Sequence, residues 1–285
     1  MPSKVAGCHF LFLLNGGNLM KILMIGDVVG KPGCRTLLEY LPKLKDAFSP
    51  DFIIVNGENA ADNGRGITQA ITKAWFECGI DAITLGNHTW AKPEIFDFID
   101  DEPRIIRPLN YPIGTPGRGY SLLSTDQGQL VAVISLMGRS YMSPLLRCPF
   151  DVVDQVLKEI PPSTIIVVDF HAETTSEKQS LAWYLDGRVS AVMGTHTHVQ
   201  TADERILKKG TAYITDVGMV GPYDGVIGMK KDAVIRRFLT QLPVRLEVEG
   251  GRNQLNAVYL EIDPDSKKTK KIDRVHIDDR HPFID

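Results

Sequence analysis

Cysteine is scarce and unpaired in this sequence. The 285 residues hold four, Cys8, Cys34, Cys78 and Cys148, with no Cys-x-x-Cys spacing. That scatter argues against a disulfide framework or a thiolate zinc site and fits a reducing cytoplasm. Long apolar runs are missing too. His9-Phe10-Leu11-Phe12-Leu13-Leu14 is too short to span a bilayer, and no Ala-x-Ala cleavage site follows it, so a signal peptide is the minor reading and no membrane contact is expected. Nor is there an excess of positive charge. Lys and Arg number 32 against 35 Asp and Glu, a net charge of −3, so the chain as a whole does not attract nucleic acid and no stable complex with it is expected. An anionic substrate has to be drawn in by local charge.

What the sequence does hold is enough apolar material, 43%, to bury a full core. Strands and helices alternate throughout, which favours one domain over residues 20–285. The first core strand begins at once with Met20-Lys21-Ile22-Leu23-Met24-Ile25, so Met20 looks like the natural start, and residues 1–19 read as an extension, either mis-started or disordered.

Several apolar runs stop at a glycine turn that carries a carboxylate, a carboxamide or an imidazole. Lys21–Ile25 ends in Gly26-Asp27, within a glycine-rich loop that runs to Gly33. Phe52–Asn56 ends in Gly57-Glu58-Asn59, Ile80–Leu85 in Gly86-Asn87-His88, and Val189–Met193 in Gly194-Thr195-His196-Thr197-His198. A short apolar run closed by glycine reads as a buried strand, and strand ends are where open α/β sheets place their ligands. A fifth run, Ile165–Val168, ends in Asp169-Phe170-His171-Ala172-Glu173. Helices with one apolar face lie between these runs, one through Leu37, Leu41 and Leu44 and one capped by Thr68, and this is the pattern of a parallel sheet with crossovers.

The proline- and glycine-rich stretch Pro103–Gly119 reads as a surface excursion. Tyr120–Leu123 and Leu130–Ile134 then form a hairpin, where the parallel pattern gives way to an antiparallel one. Short β-like runs after His198, namely Ala212–Thr215, Val244–Val248, Asn256–Ile262 and Arg274–Ile277, suggest a second sheet packed on the first with helices outside. The result is an α/β, four-layer α-β-β-α sandwich of two mixed sheets. Lys267-Lys268-Thr269-Lys270-Lys271 reads as a solvated hairpin.

Any one of His88, His171, His196 and His198 would more often be a structural histidine, and Asp27 alone a turn aspartate. Four histidines at one sheet edge beside Asp27, Glu58, Asn59 and Asn87 read instead as one metal site. Through these motifs, from Gly26-Asp27-Val28-Val29-Gly30 to Gly194-Thr195-His196-Thr197-His198-Val199-Gln200, the sequence resembles the calcineurin-like metallophosphoesterases and, within them, the YmdB-like phosphodiesterases.

That resemblance implies two divalent metal ions, iron or manganese with zinc also compatible. Asp27, Glu58, Asn59 and His198 would hold one ion, and Glu58 would bridge to a second held by Asn87, His171 and His196. His88 would be the proton donor to the leaving alkoxide, with a metal-bridging hydroxide as nucleophile. Two divalent ions less two carboxylates and a hydroxide leave about +1, which suits a phosphodiester monoanion. The implied substrate is a 2′,3′-cyclic nucleotide or an RNA end. A phosphomonoesterase of the same superfamily, or a regulatory protein that holds metal, is the alternative. Arg65, Lys31 and Arg139 are candidates for extra cations near the substrate, whose other contacts the sequence leaves unknown. Homo-oligomers are common among soluble proteins, which sets a mild expectation of one here.

Overall fold

The computed structural model describes residues 19–281, so the extension read over 1–19 lies, Leu19 apart, outside the described residues. In chain order the elements begin with β1 (Met20–Ile25), β2 (Asp27–Val28), α1 (Gly30–Phe48), β3 (Phe52–Asn56), α2 (Gln69–Glu77), β4 (Ala82–Thr84) and β5 (Ile105–Ile106). The hairpin β6 (Tyr120–Ser124) and β7 (Leu130–Met137) follows, then α3 (Pro149–Val156), β8 (Ile165–His171), α4 (Thr175–Leu185) and β9 (Ala191–Thr195). The chain closes with β10 (Arg205–Ile206), β11 (Ala212–Ile214), β12 (Met219–Pro222), α5 (Lys231–Thr240), β13 (Asn253–Ile262) and β14 (Thr269–Ile277).

Two mixed sheets result. The first runs β2-β12-β13-β1-β3-β4-β5, with β14 on the far edge of β13, and the second runs β10-β11-β9-β8-β7-β6. Period-two alternation explains how they stack. In β1 and β3, Ile22, Met24, Phe52 and Ile54 face Val131, Val133, Ile165 and Val167 of the second sheet, forming a core between the sheets. Their neighbours Leu23, Ile25, Ile53 and Val55 face outward onto Leu37, Leu41 and Leu44 of α1 and Trp75 of α2. On the other side Ile166, Val168 and Phe170 meet Val152 and Val153 of α3 and Leu181 and Leu185 of α4. These three apolar layers between four layers of structure make the α-β-β-α sandwich. Each large apolar side chain so buried contributes roughly 1.5–3 kcal/mol.

Four readings of the sequence need correction. The glycine-rich loop is shorter than expected, because α1 starts at Gly30 and Pro32 sits in its first turn, where proline lacks only an N–H that has no intrahelical partner. Pro103–Gly119 is not wholly a surface excursion: Ile105 to Pro108 are buried, β5 extends the first sheet, and the Arg107 guanidinium donates to the carbonyls of Pro108, Thr115, Pro116 and Gly117. The hairpin does not end the parallel pattern, since β7, β8 and β9 pair in parallel. Finally, β13 and β14 return to the first sheet instead of building the second, and Val244–Val248 forms no strand, its one β-bridge being that from Val248 to Met229.

Candidate metal centre

Because β1, β3 and β4 run parallel, as do β8 and β9, their carboxyl ends share one rim. Asp27, Glu58, Asn59, Asn87, His88, His171, His196 and His198 all sit there. Bonds between the sheets, and one within the second, hold the rim closed. Asp169 of β8 accepts from Asn56 of β3 (3.0 Å), Thr84 of β4 (2.5 Å) and Thr195 of β9 (2.7 Å), and Ser135 of β7 donates to the Leu85 carbonyl (2.9 Å).

The imidazoles carry chosen tautomers. Thr195 Oγ1 gives its proton to Asp169, so it accepts from His171 Nδ1 (2.9 Å), which leaves a lone pair on His171 Nε2. His196 Nε2 faces the Glu173 carboxylate at 3.1 Å, which leaves the lone pair on its Nδ1. The two lone pairs then face each other at 3.0 Å. Asn87 Oδ1, 2.9 Å from His171 Nε2, and Glu58 Oε1, 3.1 Å from it, close the group. Four acceptors thus converge on one point, and such a point calls for a cation. Separations near 3 Å are those of adjacent donors around an ion at about 2.1 Å.

Beside this group lies a second set. His198 Nδ1 donates to the Ile227 carbonyl at 3.0 Å, turning its Nε2 toward Asp27 Oδ1 at 3.8 Å. Asp27 Oδ1 and Asn59 Oδ1 are both buried without a hydrogen-bond partner among the described residues. A buried acceptor without a donor costs roughly 1–3 kcal/mol. The Asp27 oxygen beside a bare imidazole nitrogen suits a second cation, and Asn59, next to Glu58 in sequence, offers a further buried acceptor. Oxygen and imidazole donors without thiolate fit divalent manganese, iron or zinc.

The charges of the protein without metal reflect this crowding. Burial raises the Asp27 carboxyl to about 6, against the attraction of His198 and His171. Burial would also raise Glu58, but the charge and hydrogen bond of His171 and the backbone N–H of His88 outweigh it and hold that carboxyl at about 2. For His171 the order is reversed: burial disfavours its charge, yet Glu58, Asp27 and Asp169 lift it to about 9. Burial and the neighbouring His171 charge push His196 down to about 3. In the absence of metal, a proton on His171 supplies the cation that the converging acceptors demand.

His88 stands apart from both sets. Its backbone N–H donates to Glu58 Oε2 at 2.9 Å, while its ring makes no hydrogen bond to a described residue. Burial lowers its pKa, with Arg65 adding to the effect and Glu58 opposing it. Of the three candidate cations, Lys31 is taken up by Asp62 at 3.0 Å, and Arg65 and Arg139 are exposed.

The loop bearing the last two histidines is under strain. His196 has φ 101° and His198 φ 65°, left-handed values that cost a non-glycine residue of order 1–3 kcal/mol. Asp216 holds the loop by accepting from the Thr197 backbone N–H (3.0 Å) and hydroxyl (2.8 Å), and its own charge is met by the fully buried Lys178 of α4 at 2.7 Å. Asp27 Oδ2 accepts from His196 N at 3.2 Å. Two glycines make room: a side chain at Gly194 would put its Cβ 1.8 Å from the Thr215 carbonyl, and one at Gly86 would enter the donor cluster, 2.3 Å from the His171 ring and 2.5 Å from Glu58.

Sequence reasoning missed Asp169, Thr195, Lys178 and Asp216 as supports. Asp169 and Thr195 lie inside the motifs singled out above, and a carboxylate ending an apolar run is a usable signal. No local signal marks Lys178.

The chain has relatives among known proteins. The chain is 55% identical over 267 residues to the 2′,3′-cyclic-nucleotide 2′-phosphodiesterase of Bacillus subtilis (strain 168), covering 93% of this chain and 100% of that one. Among solved structures, a hypothetical protein of Thermus thermophilus superposes with TM-score 0.85 at 40% identity, covering 91% of this chain and 99% of that one. A novel phosphatase of Mycoplasma pneumoniae superposes with TM-score 0.86 at 36% identity, covering 92% and 94%. With residues 23–275 matching the family described as YmdB-like protein, this chain belongs to that family of metallophosphoesterases.

Proposed function

We propose that this chain is a dinuclear phosphodiesterase that hydrolyses 2′,3′-cyclic nucleotides. The observation that carries the reading is the convergence of His171 Nε2, His196 Nδ1, Asn87 Oδ1 and Glu58 Oε1 on one point, beside the partnerless oxygens of Asp27 and Asn59. The 55% identity to a 2′,3′-cyclic-nucleotide 2′-phosphodiesterase supports the substrate.

Asp27, Asn59 and His198 would hold one divalent ion, Asn87, His171 and His196 a second, and Glu58 would bridge them. Iron or manganese is our choice, with zinc also suited to the donors. Ions so held supply Lewis acidity and lower the pKa of water to about 7. The rest belongs to the protein. Thr195, Asp169 and Glu173 keep the histidine lone pairs aimed inward. His88, free of both donor sets, gives its proton to the departing 2′ oxygen. Arg65, which already acts on His88 electrostatically, is placed to meet a phosphate oxygen.

We further take residues 20–285 as one domain working in the cytoplasm, with a small cyclic nucleotide or RNA end as its substrate. Among the described residues no helix is long and apolar enough to cross a membrane. Any homo-oligomer rests on general frequency alone.

The test compares hydrolysis of 2′,3′-cyclic AMP with that of an aryl phosphate monoester, with manganese or iron supplied and a chelated control. Turnover of the cyclic diester that the chelator abolishes, with little monoester cleavage, is the expected result. Preference for the monoester would overturn it.

A further inference from the structure

The metal centre occupies one pole of the strands, and the opposite pole holds a cavity of about 530 Å³. It opens where β8 and β9 begin. Thr164 leads into β8, Val189 and Ser190 lead into β9, the chain after α3 forms one wall, and the β13–β14 hairpin forms another. Since β8 spans seven residues from here to His171, the two sites are roughly 20 Å apart.

Charge sets this cavity apart. Lys158, Lys209, Lys267 and Lys268 line it, and none has a carboxylate partner among the described residues, whereas Arg188 on the same wall is matched by Asp154 at 2.5 Å. The lysine run of the hairpin thus divides in two. Lys270 and Lys271 pair with Asp263 (3.4 Å) and Asp273 (2.7 Å), while Lys267 and Lys268 stay unpaired at the cavity. Lys158, Lys209, Lys267, Lys268 and Arg188 around one concavity face a single lining carboxylate, Asp154, so the concavity carries a local excess of positive charge, on a chain whose net charge is −3, and focuses an anion-attracting field.

Apolar side chains adjoin the lysine cluster. Ile160, Ile166 and Val189 give an apolar surface beside it. The volume falls in the range of small-molecule sites, roughly 300–1,000 Å³, and an apolar wall with a few convergent polar groups is their usual make-up.

We propose that this cavity binds a phosphorylated small molecule of nucleotide size, with its phosphates on Lys158, Lys209 and Lys268 and its flat apolar part on Ile160, Ile166 and Val189. Lys267 is the lesser contributor, since its ammonium already donates to the Pro162 carbonyl at 3.0 Å.

Titration calorimetry of the metal-loaded protein with ADP, and separately with pyrophosphate, tests this. ADP is expected to bind, and to bind about tenfold or more weakly to a variant carrying Lys158→Gln, Lys209→Gln and Lys268→Gln, whose melting temperature should match wild type. An Asp27→Asn variant should keep the wild-type ADP affinity, because the metal centre lies at the other pole. Equal ADP affinity in the lysine variant and wild type would overturn the site, as would loss of ADP binding in Asp27→Asn. Pyrophosphate binding as tightly as ADP would overturn the apolar contact and reduce the site to one for phosphate alone.

Discussion

His88 is the side chain that the geometry singles out, because it stands at the centre without joining either donor set. Replacing it with alanine should leave both ions bound and lower kcat for 2′,3′-cyclic AMP by about 10²–10⁴-fold, the span of a lost general acid. Metal content by elemental analysis, set beside the rate, checks this, and a variant turning over at the wild-type rate would remove His88 from the reaction. At this scale the candidate ligands were readable from sequence, since a polar residue following a glycine-stopped apolar run has few other places to go. Their supports were not. Asp216 meets Thr197 and Lys178 only after the chain has folded, and Lys178, in a helix without a strong apolar stripe, looks like any solvated lysine until α4 packs on β9.

Among the elements, the turn after β9 is the least forgiving. Gly194→Ala would force a methyl group to within 1.8 Å of the Thr215 carbonyl, so β11 and the strained loop behind it must shift. The expected outcome is a folded protein with a lowered melting temperature and at least roughly tenfold weaker metal binding, as is common when the support of a metal ligand is disturbed. Metal titration followed by calorimetry measures both, and unchanged affinity would show that the loop tolerates the shift. A continuous apolar run closed by glycine was legible to the residue: β3 spans Phe52–Asn56 as read. Val244–Val248 shows why alternation is not pairing. Its alternate residues Leu246 and Val248 do pack, against the small cluster of Val29, Met219, Met229 and Val234, but the segment meets the chain by one isolated bridge, Val248 to Met229, and builds no ladder. Period two records one buried face, and a ladder needs a neighbour as well.

Taken whole, the molecule gathers its centre from both sheets, so metal must stabilise the sandwich and not merely one loop. Stripping the ions with a chelator should lower the melting temperature by about 5 °C or more, given roughly 2.7 kcal/mol of linkage at a hundred times Kd. Calorimetry with and without chelator measures the shift, and the same shift in Glu58→Ala would argue against metal as its source. The four-layer plan was legible from the alternation of strands and helices. The membership of each sheet was not, because β13 and β14 return to a sheet begun at the other end of the chain, and nothing local in Asn253–Ile262 announces that partner. This return has a consequence for synthesis. Met20 stands opposite Ile262 and Ile25 opposite Ala257, so a strand made before every loop of the metal centre is hydrogen-bonded to one made after them all. Until β13 emerges, β1 keeps an apolar edge unpaired, the kind of edge that captures other chains. The sheet therefore closes only when every loop of the metal centre has already been made, and the exposed edge of β1 persists over that whole interval.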